Sequence, residues 1–222
     1  KYEQPVYIMD YEHLGVYACR ILAPGMSNIY PSDDLIYANN NMGMDWREIL
    51  LDLPHFHHDA ETYQELLDEL DEQGIDDLTR VREFIGIVAE KGSAMQTLRI
   101  GELKSMLHLA LGNLEQALDW ANWTANMNAS VFTAEHNNYY RCLIQTIELF
   151  LDESRKPEQY RAVFEKMYGK QAVEFAWNAV NGGNPFYGLT ASDEALENMP
   201  AHQKLLDAYH KLQRAKITPI TR

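Results

Sequence analysis

Two short runs near the start of the chain are apolar on both faces, a pattern typical of strands covered on both sides of a sheet. The first run is residues 6–9 and the second is residues 16–22. A two-stranded hairpin is marginally stable in water, and its open edges favour association. We therefore expect these strands to need a larger sheet, and the chain to be the C-terminal part of a longer protein cut near a domain boundary.

From residue 32 onward, apolar residues recur at intervals of three and four, which predicts one amphipathic helix after another. Ser32 is a plausible N-cap for a helix over 35–38, and Asp59 is the next plausible N-cap. The apolar stripes over 63–70 and 78–88 predict two helices. Further helices are predicted as a pair over 98–125, then over 133–151, after Pro157, over 172–180 and over 201–215.

Residues 110–118, Ala-Leu-Gly-Asn-Leu-Glu-Gln-Ala-Leu, match the turn of a tetratricopeptide helix pair. Gly112 allows a tight turn between the helices, and Ala117 allows them to pack closely. Gly74 lies roughly one repeat of about 34 residues upstream. The pattern predicts a mainly α fold of stacked antiparallel helical hairpins, tetratricopeptide-like, preceded by a short β segment.

Composition narrows the classes of function. The chain has 222 residues and a formal net charge of −14, which argues against a nucleic-acid surface because phosphate contacts need clustered Lys and Arg. No run of about 18 apolar residues predicts a membrane span, so we expect a cytoplasmic protein. Cys19 and Cys142 are far apart and do not suggest a disulfide framework; both are expected to be buried thiols.

Several segments of the chain resemble the YcaO family, and the likeness covers nearly the whole chain. It is carried by the segment Asp-Tyr-Glu-His-Leu-Gly-Val-Tyr-Ala-Cys-Arg at 10–20 and by residues 24–31, 38–40, 79–83, 98–104, 138–143 and 212–216. Residues 10–31 look like the end of the family's catalytic region. The resemblance is to the stand-alone bacterial type.

The resemblance implies a parent protein that uses ATP and magnesium to phosphorylate a peptide backbone amide oxygen, after which a nucleophile attacks the activated carbon. The family's ATP and magnesium site lies upstream of this segment, so no catalytic, cofactor-binding or metal-binding residue carries over. The chain ends in residues 217–222 rather than in the proline-rich tail of azoline-forming members. The stand-alone type is instead associated with accessory work for a ribosomal-protein methylthiotransferase.

The resemblance and the helical pattern together divide the chain into three segments. Residues 1–31 are the last strands of the YcaO catalytic region, residues 32–58 are connecting helices, and residues 59–222 are the tetratricopeptide-like domain. We expect this segment to be non-catalytic by itself and to serve self-association as a homodimer and docking of a protein partner or substrate. The partner would be a ribosomal protein or the methylthiotransferase, reached through the parent.

Five residues are candidates for the protein-binding face of the helical domain: Trp120, Trp123, Tyr139, Tyr140 and Arg141. Exposed aromatic side chains supply much of the binding energy at interfaces. Aromatic residues at helical spacing also pack in cores and between helices, and the sequence leaves that alternative open. A second alternative for the whole chain is a purely structural extension that buttresses the catalytic sheet.

Two charged or ligand-rich stretches have other possible uses. His55, His57 and His58 precede Asp59, and a metal-binding module could use the three imidazoles. Residues 59–77 hold nine Asp and Glu residues with no Lys or Arg, so they form either a solvated face or a docking site for a basic partner. The basic side chains of the last predicted helix, which include Lys204 and Lys211, could also pair with this acidic run.

Overall fold

The computed structural model describes residues 6–11, 18–22, 43–193 and 196–217, and divides the chain into two units, 1–42 and 43–222. The described residues form one short hairpin followed by helices, so the expected mainly α fold preceded by a β segment is confirmed. The helix predicted after Ser32 lies outside the described residues. The three-segment division stays a prediction.

The first unit contains an antiparallel hairpin. Strand β1 is Tyr7–Tyr11 and strand β2 is Ala18–Leu22, with Tyr7 opposite Leu22 and Tyr11 opposite Ala18. Successive side chains of a strand point to opposite faces. The consecutive residues 6–9 are each between 43% and 61% exposed, so apolar side chains on both faces of this part of the hairpin are accessible.

The second unit is built from helices of very different lengths. Among the described residues these are α1 Arg47–Asp52, α2 Ala60–Glu72, α3 Val81–Phe84, α4 Ala94–Thr97, α5 Ile100–Ala110, α6 Leu114–Asn128, α7 Ala134–Leu151, α8 Arg161–Tyr168, α9 Lys170–Val180 and α10 Pro200–Ile217. Short 3₁₀ turns at Met44–Trp46, Leu53–His55 and Pro157–Gln159 precede α1, follow it and precede α8.

Side-chain caps begin two of these helices, α2 at the predicted N-cap Asp59 and α7 at Thr133. The Asp59 carboxylate accepts hydrogen bonds from the Thr62 backbone N–H at 2.9 Å and from the Thr62 hydroxyl at 2.7 Å. These bonds hold the pKa of Asp59 below its usual range. The Thr133 hydroxyl accepts from the His136 backbone N–H at 3.1 Å. Such caps satisfy backbone donors that the first turn leaves free.

The helix predicted over 78–88 is wrong, because only the single turn α3 forms there. A longer helix would need the backbone N–H of Val81 and the carbonyl of Thr79 for its own hydrogen bonds. Both groups pair instead with the segment around the start of α5. The Val81 N–H donates to the Leu98 carbonyl and the Thr79 carbonyl accepts from the Ile100 N–H, each at 3.0 Å. Gly86 then adopts a φ of +67°, which ends any right-handed helix.

Helices α5 and α6 form the tight antiparallel pair that residues 110–118 predict. Gly112 has a φ of +72° at the turn, and the Ser105 hydroxyl donates to the Ala117 carbonyl at 3.2 Å across the pair. Ala117 and Ala121 are fully buried, which agrees with the role of small residues in close helix packing. The tetratricopeptide period of the remaining helices stays a prediction.

One buried apolar cluster of the second unit lies between α5, α6, α7 and α9. It includes the buried Cys142, whose pKa is raised to about 11 by burial, against the opposing effect of a hydrogen bond with Thr146. Cys19 on β2 is exposed, so the expectation that both thiols are buried is wrong for this residue.

We expect the two thiols to react at very different rates. In the folded chain, Ellman's reagent should titrate Cys19 quickly and leave Cys142 unmodified, because the thiolate is the nucleophile and burial suppresses it. Denaturant should then release the second equivalent. Rapid modification of Cys142 in a Cys19→Ser variant without denaturant would contradict the packing of α7.

The start of α10 is attached to the rest of the unit by His202, which is buried. Its Nδ1 accepts a hydrogen bond from the Val88 backbone N–H at 3.1 Å. Burial and the nearby Arg47 lower the pKa of this imidazole. An accepting Nδ1 must be unprotonated, so the hydrogen bond and the lowered pKa agree.

The lowered pKa predicts that acid destabilises the chain. The unfolded chain takes up a proton at His202 near pH 6.5, where the folded chain does not, so the contribution of His202 to stability is complete above that pH and is lost as the pH falls below it. Urea unfolding between pH 7.5 and 5.5 would measure the loss. A His202→Asn variant should reduce the dependence of stability on pH. The reduction should be partial, because burial also lowers the pKa of His108, which adds to the same dependence. An unchanged pH dependence would refute the assignment to His202.

Candidate functional site

Trp120 and Trp123, two of the predicted binding residues, lie half-buried on α6. Their rings meet edge to face with centroids 5.8 Å apart, and the Lys104 ammonium lies 4.8 Å from the Trp120 ring centroid. Trp123 lies directly over Gly101 of α5. Both indoles therefore pack between helices while keeping part of their surface in solvent, and Arg141 is exposed on α7. A binding role for these three residues stays a prediction.

Tyr139 and Tyr140 are each only 1% exposed, so their expected place on an outer face is wrong. The Tyr139 ring stacks on Tyr187 with centroids 3.8 Å apart, and the Tyr140 hydroxyl donates to Glu102 at 3.1 Å. Burial raises the pKa of both hydroxyls, and the Glu102 carboxylate adds to the effect. The alternative of core packing holds for these two residues.

A buried polar network joins α5, α6 and α7 beneath these tyrosines. Its centre is Glu102, 1% exposed, whose carboxylate lies 2.9 Å from His136 Nε2 and accepts from Tyr140 and from Asn128 Nδ2 at 3.5 Å. Arg99 donates to Asn128 Oδ1 at 2.7 Å. Each group is therefore partnered, as buried polar groups require. The sequence feature that could have indicated this network is Glu102, a carboxylate within the largely apolar helix α5.

An aromatic cleft of about 490 Å³ lies over this network, between α7, α9 and the segments 92–97 and 187–188. Its aromatic wall consists of Phe132, His136, Phe175 and Tyr187. The His136 ring stacks on Phe132 with centroids 4.0 Å apart, and Phe175 is 40% exposed. The sequence analysis missed these residues, although His136 precedes Tyr140 by one helical turn.

The acidic run of residues 59–77 lies along α2 and the turn that follows it. Lys104 of α5 neutralises part of it, with Nζ 2.6 Å from Asp71 Oδ1 and 2.9 Å from Asp77 Oδ1. Burial lowers the pKa of Lys104, but these two carboxylates outweigh that effect and raise it overall. The carboxylates of Glu61, Glu65, Asp68 and Glu72 are exposed. Pairing of this run with the basic side chains of α10 stays a prediction.

Two helices carry exposed apolar pairs four residues apart, which places each pair on one helix face. On α10 the pair is Leu205, 52% exposed, and Tyr209, 54% exposed. On α8 the pair is Val163, 52% exposed, and Met167, 62% exposed. Among the described side chains of α1–α10, these pairs are the most exposed large apolar residues.

The three neighbouring histidines converge on Asp52, a residue that the sequence analysis did not include. His55 Nδ1 lies 2.6 Å from Asp52 Oδ1, while His57 Nε2 and His58 Nε2 each lie 3.2 Å from Oδ2. The cluster opens onto a groove that Glu48, Asp193 and Glu197 also line. The turn Leu53–His55 brings these side chains together, and its effect is not visible in residue spacing.

Within the ranges that the structure describes, no helix combines the length and apolarity needed to cross a bilayer.

Comparison with known proteins shows the family of the chain. The family model of the YcaO cyclodehydratase C-terminal domain matches residues 43–218. An uncharacterized protein of Haemophilus influenzae is 76% identical over 96% of the chain, and the ribosomal protein S12 methylthiotransferase accessory factor YcaO of Escherichia coli is 54% identical over 97%. The chain spans 37% of the length of each relative. The chain therefore belongs to the YcaO family and contains its C-terminal domain.

Proposed function

We propose that this chain is the non-catalytic C-terminal region of a YcaO-type protein that activates peptide backbone amides with ATP and magnesium. Its role is self-association and docking of a protein partner, and the whole protein is an accessory factor for ribosomal protein methylthiolation. The name of the Escherichia coli relative supports the accessory role. The hairpin, apolar on two open faces, would complete a sheet of the parent's catalytic region.

The exposed pair on α10 is the observation that carries self-association. This 18-residue helix has His202 buried near its start, and leaves Leu205 and Tyr209 about half exposed. Covering a fully exposed large apolar side chain contributes about 1.5–3 kcal/mol, and roughly half of that is available at each of these positions. Two copies that pair through α10 would bury four such side chains in a symmetric contact.

Light scattering on a size-exclusion column, over a dilution series of this chain, tests the proposal. We expect a dimer that persists on dilution and a monomer for the double variant Leu205→Asp, Tyr209→Asp. The matched control is Val163→Asp, Met167→Asp, which changes the corresponding exposed pair on α8 and should leave the dimer intact.

The remaining outcomes count against the proposal. A monomer at every concentration of the unmodified chain would refute self-association and favour a structural extension of the catalytic sheet. A dimer that survives the α10 changes and dissociates with the α8 changes would place the interface on α8 instead.

The aromatic cleft favours partner docking as a second function of the same domain. Its wall offers the accessible ring of Phe175 beside Tyr187 and His136, and aromatic side chains are enriched where proteins bind each other. The exposed acidic stripe of α2 would speed the approach of a basic ribosomal protein. Both features suit a protein partner better than a nucleic acid.

Binding of ribosomal protein S12 and of the methylthiotransferase, measured by calorimetry, tests the docking function. Phe175→Ala should weaken binding of the true partner at least about tenfold, as expected for an interface aromatic, and Val163→Ala on α8 should not. Equal affinities for the two variants would remove the cleft from the interface. Absence of binding to either protein would refute this docking function.

A further inference from the structure

We propose that Asp52, His57 and His58 form a binding site for one zinc ion, with His55 as a positioning residue. The possible ligand atoms are Asp52 Oδ2, His57 Nε2 and His58 Nε2, and one atom from each of these residues lies within 4.8 Å of the others. Imidazole nitrogen and carboxylate oxygen are both normal zinc ligands. The site is separate from the cleft and from α10.

Two of the three distances between the possible ligand atoms fit the edges of a coordination sphere. His57 Nε2 and His58 Nε2 are each 3.2 Å from Asp52 Oδ2. A tetrahedral zinc site with bonds of about 2.0–2.1 Å has ligand atoms about 3.3 Å apart along each edge. The cluster therefore presents two edges of such a tetrahedron.

His58 provides an independent sign that a ligand is needed. Its Nε2 is buried but makes no hydrogen bond, although it lies close to Asp52. A buried polar nitrogen without a partner is destabilising. Coordination of a metal would satisfy this nitrogen, and the His57 ring, stacked on His58 with centroids 4.6 Å apart, lies beside it.

The loop that carries the ligands is held in place by the rest of the unit. Phe56, between the histidines, has a φ of +51° and its ring contacts Tyr63 and Phe186 with centroids 6.2 and 6.1 Å away. Asn184 Nδ2 donates to the Pro54 carbonyl at 2.7 Å, and the Ser192 N–H donates to the Leu51 carbonyl at 3.0 Å. A preorganised loop loses little entropy when it binds an ion.

His55 completes the arrangement from the second layer. Its Nδ1 lies 2.6 Å from Asp52 Oδ1, the oxygen that faces away from the two other imidazoles. A hydrogen bond to the far oxygen orients a metal-binding carboxylate and is typical of zinc sites. Glu48 and Glu197 in the same groove add negative charge, and the open side leaves the fourth position to water.

Calorimetry with zinc chloride on the metal-free chain tests the site, together with metal analysis after dialysis. We expect one zinc ion per chain. His57→Ala and His58→Ala should each weaken binding by more than 100-fold, and His55→Ala by about 10–100-fold, the range found for outer-layer partners. The control is His210→Ala, an exposed histidine on α10 that should have no effect.

Absorption of the cobalt-substituted chain adds a readout of geometry, because a tetrahedral site gives intense visible bands that His57→Ala should abolish. Circular dichroism verifies that each variant is folded, and the isosteric Asp52→Asn provides a second ligand change. Absence of stoichiometric zinc, or equal zinc affinity in the His57→Ala and His210→Ala variants, would overturn the proposal.

Discussion

Replacing Glu102 by alanine is expected to lower the free energy of unfolding by about 3–5 kcal/mol, the cost of removing one partner from a buried ion-pair or hydrogen-bond network. The Glu102 carboxylate is 1% exposed and accepts from the Tyr140 hydroxyl and the Asn128 amide, with His136 Nε2 at 2.9 Å. Alanine would remove the acceptor of the Tyr140 hydroxyl and of Asn128 Nδ2, although Asn128 Oδ1 would keep its bond from Arg99. It would also open a cavity between α5 and α7.

Urea denaturation followed by circular dichroism measures this loss, and two variants calibrate it. Glu102→Gln keeps an acceptor oxygen and should cost less, about 1–3 kcal/mol. Glu174→Ala changes an exposed carboxylate in the middle of α9 and should stay within about 0.5 kcal/mol of the parent. If Glu102→Ala costs no more than Glu174→Ala, the network does not stabilise the fold.

Gly101→Ala is expected to destabilise the chain by about 1–2 kcal/mol, although alanine is the better helix former. Alanine gains at most about 1 kcal/mol of helix propensity over glycine, and less here because Gly101 lies in the first turn of α5. However, a Cβ at position 101 would lie 2.6 Å from Cε3 and 2.7 Å from Cη2 of Trp123, and overpacking costs about 1–3 kcal/mol. The clash meets the body of the indole, which cannot swing aside as a flexible side-chain end can.

A double-mutant cycle with Trp123→Leu isolates the contact. With leucine at position 123 the space over Gly101 is open, so Gly101→Ala should become neutral or stabilising by up to about 1 kcal/mol. Chemical unfolding of the four proteins gives the coupling energy. The same destabilisation in both backgrounds would show that the close approach of α5 and α6 does not depend on this indole.

The Glu102 variants also affect how the proposed docking function should be tested. Glu102 lies beneath the aromatic cleft through its contact with His136, so loosening the network should disorder the wall that His136 and Phe132 form. Binding experiments on the cleft are therefore best made with Phe175→Ala, whose side chain is accessible and outside the network.

Sequence periodicity was sufficient for the local elements that carry their own signals. Gly112 and Ala117 predicted the tight turn of α5 and α6, and Asp59 predicted the start of α2. These signals depend on groups within a few residues of each other, so they can be recognised without knowledge of the rest of the fold. The helix over 78–88 failed because long-range backbone pairing with the segment before α5 outcompeted local propensity.

Sequence alone determined that this protein is mainly helical with a short β segment and that it resembles the YcaO family, because hydrophobic period, turn glycines and family motifs are written in residue order. The tertiary structure decided which side chains are accessible and which meet. It buried Tyr139 and Tyr140 under a cleft, exposed Cys19, and turned three histidines toward Asp52. Burial and convergence depend on how distant elements pack, and no spacing along the chain contains that information.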